Sequence, residues 1–337
     1  MNAQKQSVGC VACPRTPPFQ KPFPSACVDK PHTLLRSTKR RPNTRGAALI
    51  IAMLLTALGA AVAAQLIAPL AGWMQREYTS RDVQAAYTLA DAATSWSLTV
   101  LAADARLSQI DHYGELWATR LPSTQVEGGT LDGQIRDLQA RFNLNNLAPG
   151  GVKSASNVAL AKAIFTAAII PTSLVDVLAD AMDRDEVTDS GQSERQTYGK
   201  VLPNTALSRW SDLRALPGFT DAHLEAIAQV ADLLREATPI NINTCEPALI
   251  ALSFPQSSPE TIAKIVAARA QRPFNNTAEL SQLLGATVPE GVFSTSTRYF
   301  SVDATIRFEN AQHRLQLRVA RIPGAAPQVI SRLITNV

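Results

Sequence analysis

The chain has 337 residues, of which 18% are charged, and a formal net charge of +4. Residues 1–46 contain nine Lys or Arg and one acidic residue, which leaves 23 basic and 27 acidic residues, a net charge of −4, for the remainder. Binding nucleic acid through its phosphates requires an excess of positive charge. The composition therefore argues against a nucleic-acid-binding body and assigns the basic character to the N-terminus.

The N-terminal part divides into a basic leader and an apolar span. Residues 1–46 combine Pro with basic side chains, a composition typical of a disordered segment. Residues 47–75 have no ionisable side chain. A helix rises about 1.5 Å per residue, so about 20 residues cross the roughly 30 Å hydrocarbon core of a bilayer. We therefore predict one membrane helix over 47–75, with its basic N-terminal flank in the cytoplasm.

The junction between leader and span reads KRRPNTRG followed by AALII. Gly46 thus lies between the charged cluster and the apolar helix, an arrangement that resembles the leader of pseudopilins. The resemblance implies cleavage between Gly46 and Ala47, which keeps the helix on the mature protein. An ordinary secretory signal is instead cut after its apolar region at small residues, and Ala61–Ala63 satisfies that pattern.

The fifth residue of that mature chain is Ile51, where most pilins and pseudopilins carry Glu. A carboxylate within hydrocarbon is costly unless it is paired. A subunit at the tip of a filament has no subunit above it, so it has fewer neighbouring subunits that could pair with such a carboxylate. The absence of Glu is the pattern of one class of minor pseudopilin.

Residues 76–103 continue the helical pattern beyond the span. A narrow, mostly apolar stripe recurs every three or four residues, and the charged side chains are expected on other faces of the helix. The stripe is Val83, Ala86, Ala90, Ala93, Ser97 and Leu101, and the charged residues are Arg81, Asp82, Asp91 and Asp104. The pattern predicts one long N-terminal helix whose second half packs on a domain.

The most distinctive phrase of the body follows a predicted strand or hairpin. Leu131, Gly133 and Ile135 alternate with polar residues, as in a strand with one buried face. The phrase RFNLNNL, residues 141–147, comes next. Its asparagines suit turns and helix caps.

Residues 157–284 read as short helices separated by prolines. Thr220 precedes one helical pattern, and Ser258 with Pro259 precedes another, as in N-terminal caps. Several short helices in series predict an all-α domain. Because strand patterns flank it, we expect the domain to be inserted into a smaller α/β frame.

An acidic run, DAMDRDEVTDSGQSE, occupies residues 180–194 of this domain. The candidate metal ligands are Asp183, Asp185, Asp189 and Glu194, at positions one, three, seven and twelve of an EF-hand count. Val187 and Thr188 stand where that loop needs a ligand and a turn Gly, so the run is not an EF-hand. The carboxylates either bind a hard cation through oxygen or form a solvated acidic helix end.

Residues 238–283, TPININT to ELSQL, have the outline of a helix-hairpin-helix. DNA-binding versions present backbone N–H groups of a Gly-rich hairpin to phosphate. The hairpin here, residues 253–259, reads SFPQSSP and has two prolines and no Gly. The pattern favours a sterile-alpha-motif-like packing module, with Lys264, Arg269 and Arg272 as the residues that would test DNA binding.

Residues 299–334 alternate polar and apolar side chains and predict a C-terminal antiparallel sheet. The four histidines are far apart in the sequence, and no HExxH, GxSxG, P-loop or GxGxxG motif is present. We therefore predict no enzymatic activity.

The junction without the fifth-position Glu, the RFNLNN phrase, the PININT motif and the order of segments resemble the minor pseudopilin K family of type II secretion systems over residues 40–337. The resemblance implies an α+β fold, with a long N-terminal transmembrane helix, a pseudopilin α/β frame and an inserted all-α domain. The expected segments are a leader (1–46), a membrane or filament helix (47–75), the helix continuation with the first strands (76–142), the inserted domain (143–285) and the C-terminal strands (286–337).

The resemblance also implies a structural role at the tip of the pseudopilus, in initiating its assembly and in exporting folded proteins across the outer membrane. It implies minor pseudopilins I and J and prepilin peptidase as partners, an inner-membrane anchor with a periplasmic body, and calcium in the inserted domain. Two other interpretations remain open. One is a membrane-anchored DNA-uptake protein with helix-hairpin-helix units, and the other is an exported soluble protein cut after Ala63.

Overall fold

The computed structural model describes residues 45–126, 129–308 and 311–336. The helices are α1 (Arg45–Leu107), α2 (Ala155–Ala167), α3 (Ser173–Met182), α4 (Glu194–Tyr198), α5 (Trp210–Arg214), α6 (Asp221–Val230), α7 (Pro247–Ser253), α8 (Pro259–Gln271) and α9 (Thr277–Leu284). The strands are β1 (Leu121–Val126), β2 (Gly129–Asp137), β3 (Phe142–Asn143), β4 (Ala231–Asp232), β5 (Ile240–Asn241), β6 (Phe293–Ser294), β7 (Tyr299–Phe308), β8 (Ala311–Ala320) and β9 (Gln328–Asn336). Disorder was predicted for residues 1–46; residues 1–44 lie outside the described residues, whereas Arg45 and Gly46 form the start of α1.

Helix α1 begins at Arg45 and continues through the predicted span. Its large apolar side chains in this part are exposed, with Leu49 at 65%, Leu66 at 68% and Trp73 at 69%. Among the described helices, α1 is long and apolar enough to cross a membrane. Exposed apolar surface of this extent marks a segment that packs in lipid or against another protein.

The second half of α1 packs on a sheet through the predicted stripe. Ala86, Ala90, Ala93 and Leu101 are buried. Ser97 is buried as well, and its hydroxyl donates a hydrogen bond of 2.7 Å to the Ala93 carbonyl. Small side chains on this face let the helix approach the strands closely, and the larger strand residues fill the remaining space.

The sheet has five antiparallel strands in the order β1-β2-β7-β8-β9. Ile135 of β2 pairs with Val302 of β7, which pairs with Leu317 of β8. These three side chains are buried in the cluster that includes the α1 stripe. The predicted α+β class, with its strand hairpin and C-terminal sheet, is confirmed.

The helices α2 to α9 come between β2 and β7 in the chain and surround their own core, which includes Phe165 and Leu178. The predicted caps are present, because the side chains of Thr220 and Ser258 accept hydrogen bonds of 3.2 Å from the backbone of the first turn. The positions of the expected segment boundaries stay a prediction.

Asp104 was expected on a face of α1 away from the apolar stripe, but its side chain is buried. It is 8% exposed and accepts a hydrogen bond of 2.6 Å from Nη1 of Arg321, which also pairs with Asp111. Burial, with the charge of Glu115, raises the pKa of Asp104 to about 6, although Arg321 opposes the shift. One guanidinium between two buried carboxylates offsets only part of their desolvation cost.

Candidate functional site

The acidic run forms a loop between α3 and α4 that folds back on itself. The Thr188 N–H donates to the Gln192 carbonyl at 2.9 Å, and the Glu194 N–H donates to the Glu186 carbonyl at 3.0 Å. Gly191 has φ +79° at the turn between them, a conformation that Gly adopts without strain. The two ends of the loop therefore meet although they are separated in sequence.

Three of the predicted ligands come together there. Asp183, Asp185 and Glu194 each offer a carboxylate oxygen that lies within 4.8 Å of the other two. Asp183 and Glu194 are each only 2% exposed. Within the described residues, Oδ1 of Asp183 and both carboxylate oxygens of Glu194 have no hydrogen-bond partner. Burying a carboxylate without a partner costs free energy, and a bound cation would remove that cost for these three oxygens.

Asp189, the fourth predicted ligand, is not in this group. Its Oδ1 lies 2.8 Å from Nζ of Lys153, which also pairs with Asp180 and lies 3.5 Å from Oδ2 of Asp183. Burial lowers the pKa of Lys153, but the hydrogen bonds and charges of Asp180 and Asp189 outweigh it and raise the pKa above its usual value. Lys153 therefore neutralises one side of the acidic loop and leaves Oδ1 of Asp183 unpaired.

The electrostatics of the loop favour proton or cation binding. Burial, with the charges of Asp183, Asp180 and Asp185, raises the pKa of Glu194 to about 7. Burial also raises the pKa of Asp183 to about 6, against the opposing charge of Lys153. Carboxylate oxygens are the ligands that Ca²⁺ prefers, at about 2.3–2.6 Å, and oxygens that share one ion lie within about 5 Å of each other. The residues present fit a hard divalent cation.

Asn204 is a polar neighbour of the loop that sequence reasoning missed. Its Nδ2 donates to the Asp185 carbonyl at 2.6 Å, and its backbone has φ +49°. Its Oδ1 is buried without a partner among the described residues. An amide oxygen is another hard-cation ligand. The residue lies ten positions beyond Glu194, outside any loop spacing that a motif search tests.

The asparagines of the PININT motif form buried hydrogen bonds that connect the helical module to the sheet and stabilise the module itself. Asn241 donates from Nδ2 to Oδ2 of Asp137 in β2 at 2.9 Å. Asn243 forms two hydrogen bonds with the backbone of Phe274: its Nδ2 donates to the carbonyl at 3.0 Å, and its Oδ1 accepts from the N–H at 2.8 Å. Thr244 adds a hydrogen bond of 2.6 Å from its hydroxyl to Asp137. The motif therefore supplies buried polar links to the sheet and within the hairpin.

Two of the three basic residues named for DNA binding make contacts within the chain. Nη1 of Arg269 donates to the carbonyls of Ile242 and Cys245 at 2.8 and 2.7 Å. Arg272 forms an ion pair of 2.9 Å with Glu279. These contacts fit the packing interpretation of the motif.

The asparagines of the RFNLNN phrase form hydrogen bonds beyond the turns and caps that were predicted for them. Asn143 does cap the following turn, accepting from the Asn145 N–H at 3.2 Å. Asn146 also exchanges two hydrogen bonds of 2.8 Å with the backbone of Thr238. The phrase thus holds distant segments of the helical module together.

Comparison with known proteins identifies relatives along most of the chain. Two adjacent family models, both described as type II secretion system protein K, match residues 140–236 and 240–303. The chain is 25% identical over 322 residues to type II secretion system protein K of Pectobacterium carotovorum subsp. carotovorum, covering 87% of this chain and 97% of that protein. It is 28% identical over 229 residues to the Klebsiella pneumoniae protein K, covering 63% and 70%.

A similar fold occurs in the crystal structure of the GspK-GspI-GspJ complex of the enterotoxigenic Escherichia coli type 2 secretion system. The TM-score is 0.62 at 21% sequence identity, and the match covers 78% of this chain and 100% of the chain in the complex. At this identity the likeness establishes a shared fold.

Proposed function

Because the chain belongs to the protein K family of type II secretion systems, and so is a minor pseudopilin, we propose that it lies at the tip of the pseudopilus and helps to initiate its assembly. Its role there is structural rather than enzymatic. Together with the rest of the filament, it serves the export of folded periplasmic proteins across the outer membrane.

The size of the helical module is the observation that carries this proposal. The sheet and the second half of α1 form a frame, and residues 138–298, between β2 and β7, are inserted in it. A regular shaft requires every subunit to offer the same small cross-section to its neighbours. A subunit with so large an insertion cannot repeat along the shaft of the filament. At the end of the filament no further subunit packs above it, so the insertion has room there.

The exposed apolar part of α1 supports an inner-membrane anchor. Cleavage by prepilin peptidase between Gly46 and Ala47 leaves this part on the mature protein, with the body in the periplasm. The basic side chains that precede Gly46 favour a cytoplasmic leader. Ile51 is 56% exposed. It occupies the position where most pilins and pseudopilins carry Glu, whose carboxylate would need a charged partner from a neighbouring subunit within the membrane.

Minor pseudopilins I and J are the proposed partners, and the structure offers an apolar groove for one of them. The groove lies between the second half of α1 and the β1–β2 hairpin, has a volume of about 260 Å³, and is lined by Leu89, Trp96, Leu121 and Leu131 among others. Trp96 is 44% exposed at its edge. Half-exposed aromatic side chains beside an apolar groove are typical anchors of protein interfaces.

Co-purification tests this assignment. The full-length chain, co-expressed with pseudopilins I and J, is expected to purify with both. The substitution Trp96→Glu is expected to reduce their recovery, whereas Thr99→Glu, on an exposed position one turn further along α1, is expected to leave it unchanged. Equal recovery with all three chains would remove the groove from the interface, and failure of wild type to recover I or J would contradict the tip assignment.

Calcium is the proposed ligand of the acidic loop. Asp183, Asp185 and Glu194 would hold it through carboxylate oxygens, with Asn204 beside them. The ion would neutralise charges that Lys153 does not reach and would join the end of α3 to the start of α4. Its role is then to order the loop.

Calorimetric titration of the full-length chain with calcium chloride after EDTA treatment tests the site. Wild type is expected to bind, and Glu194→Gln to lose most of the affinity, because a neutral amide replaces a ligand charge. Asp189→Asn is the matched control, since its carboxylate contacts Lys153 instead. Absence of heat with wild type at millimolar calcium, or equal loss in both variants, would overturn this ligand set.

A further inference from the structure

A second concave surface lies between the helical module and the strands β8 and β9, and none of its lining residues belongs to the acidic loop. Its volume is about 740 Å³. It is lined by Ser208, Arg209, Trp210, Leu233, Leu234, Arg235, Arg318, Ile330 and Ser331. We call this surface the arginine cleft.

The lining of the arginine cleft contains three arginines and no acidic residue. Arg318 forms an ion pair of 2.8 Å with Asp232, so its charge is already neutralised within the chain. Arg209 and Arg235 are exposed, and within the described parts of the chain neither has a carboxylate oxygen within 4.0 Å of its guanidinium. Their charge is therefore available to a partner, although the body as a whole is net acidic.

Asn145 holds both walls of the cleft. Its Oδ1 accepts from the Leu207 N–H at 3.0 Å, and its Nδ2 donates to the carbonyls of Leu207 and Leu234 at 2.8 and 2.5 Å. Leu207 precedes Arg209 by two positions, and Leu234 precedes Arg235 directly. The most distinctive phrase of the sequence thus fixes the two loops that carry the unpaired arginines, and such pre-organisation lowers the cost of binding.

The sheet side of the cleft is formed by Arg318 of β8 and by Ile330 and Ser331 of β9, and β9 is an edge strand. β9 is at one end of the strand order and pairs with β8 alone among the described strands. Arg318 of β8 pairs with Ser331 of β9, and Val319 pairs with Val329. Ile330 of β9 is therefore left without a partner in β8, and it lines the cleft. An unpaired strand edge offers backbone donors and acceptors to an added extended segment.

We propose that the arginine cleft binds an extended acidic segment of another protein chain. The backbone of this segment pairs with the edge of β9, its carboxylates contact Arg209 and Arg235, and an apolar side chain packs on Trp210. A protein segment fits better than single-stranded nucleic acid, because a strand edge recognises a peptide backbone and nucleic acid binding favours several stacking aromatic side chains.

Fluorescence anisotropy with a labelled peptide of three Glu-Thr-Val repeats tests the proposal on the full-length chain in detergent micelles. The peptide combines acidic residues with strand-forming ones. It is expected to bind, with affinity falling as salt increases, because the contacts to exposed arginines are screened. The matched Lys-Thr-Val peptide and a thymidine oligonucleotide of equal length are expected to bind more weakly.

Charge-reversal variants locate the binding. Arg209→Glu with Arg235→Glu is expected to weaken binding of the acidic peptide by about tenfold or more, since attraction becomes repulsion at two contacts. Arg209→Lys with Arg235→Lys is expected to retain most of it. Arg106→Glu with Lys264→Glu reverses the same number of exposed charges elsewhere and is expected to have little effect.

Three results would overturn the proposal: no binding of the acidic peptide, equal weakening by the control pair, or tighter binding of the Lys-Thr-Val peptide or the oligonucleotide. Thermal unfolding of each variant checks that the fold is retained, since the reversed side chains are on the surface. The measurement uses the isolated chain, so its outcome is independent of assembly with pseudopilins I and J.

Discussion

Arg321 and Asp104 are 217 positions apart in the chain and form a buried ion pair, with 2.6 Å between Nη1 and Oδ2. Arg321 follows the end of β8, and Asp104 lies in the last turns of α1. The same guanidinium donates to the Thr297 carbonyl at 3.0 Å and lies over the Phe300 ring at 4.7 Å. The pair ties the end of the long helix to the C-terminal strands.

Replacement of Arg321 by Met is expected to lower the free energy of unfolding by about 3–5 kcal/mol, because it leaves two buried carboxylates without their counter-charge. Urea unfolding of the full-length chain measures the change. Arg332→Met is the control, because Arg332 pairs with Asp91, whose side chain is 66% exposed. Its expected cost is below about 1 kcal/mol. Equal costs in the two variants would show that the Arg321 pair contributes no more than a surface contact.

The acidic loop is expected to make the calcium-free chain less stable as pH rises from about 4.5 to about 7. Unfolded Glu194 releases its proton near its usual pKa of 4.5, whereas the folded loop keeps it up to about 7. The folded state binds more protons in this window, so the stabilisation is complete below the lower value and is lost as pH rises through the upper one. Calcium must displace the same proton, so its affinity is expected to rise with pH.

Unfolding measured in EDTA across this pH range checks the effect against Glu194→Gln, which does not titrate. The difference in stability between wild type and the variant is expected to move in favour of the variant as pH increases. A difference independent of pH would mean that Glu194 has an ordinary pKa in the folded chain. Asp183, with a pKa raised from 3.8 to about 6, contributes in the same direction over its own range.

Asn145→Ala is expected to destabilise the helical module by about 1–3 kcal/mol for each buried backbone group that it leaves unpaired. Hydrogen exchange of the Leu207 amide, followed by mass spectrometry, reports the loss locally. Asn275→Ala removes an exposed side-chain contact to Glu279 and serves as the control. Unchanged protection around Leu207 in the Asn145 variant would contradict the role of this side chain in holding the loop.

Local patterns in the sequence predicted the fold well where spacing decides burial. The stripe from Ala86 to Leu101 was recognisable because a helix buries residues three or four positions apart. The caps at Thr220 and Ser258 were recognisable because the hydroxyl and its backbone partner are three positions apart. Both features depend on residues that are only three or four positions apart in the sequence.

Long-range pairs account for what the sequence did not predict. Asp104 was expected on a face of α1 other than the apolar stripe, because nothing near it in sequence indicates Arg321. Asp189 was grouped with the metal ligands by spacing, although Lys153, 36 positions away, contacts it instead. The links from Asn145 to Leu207 join segments 62 positions apart. Such partners follow from the tertiary fold and have no local pattern.

The mature N-terminus, determined by mass spectrometry of the chain expressed with and without prepilin peptidase, tests the central claim most directly. The account predicts a chain that begins at Ala47, N-methylated, only when the peptidase is present, so that the exposed apolar part of α1 remains on the protein. A chain that begins at Ala64 in both strains would contradict it, because that part of α1 would be lost. An uncut chain in both strains would also contradict it and would indicate a simple membrane anchor.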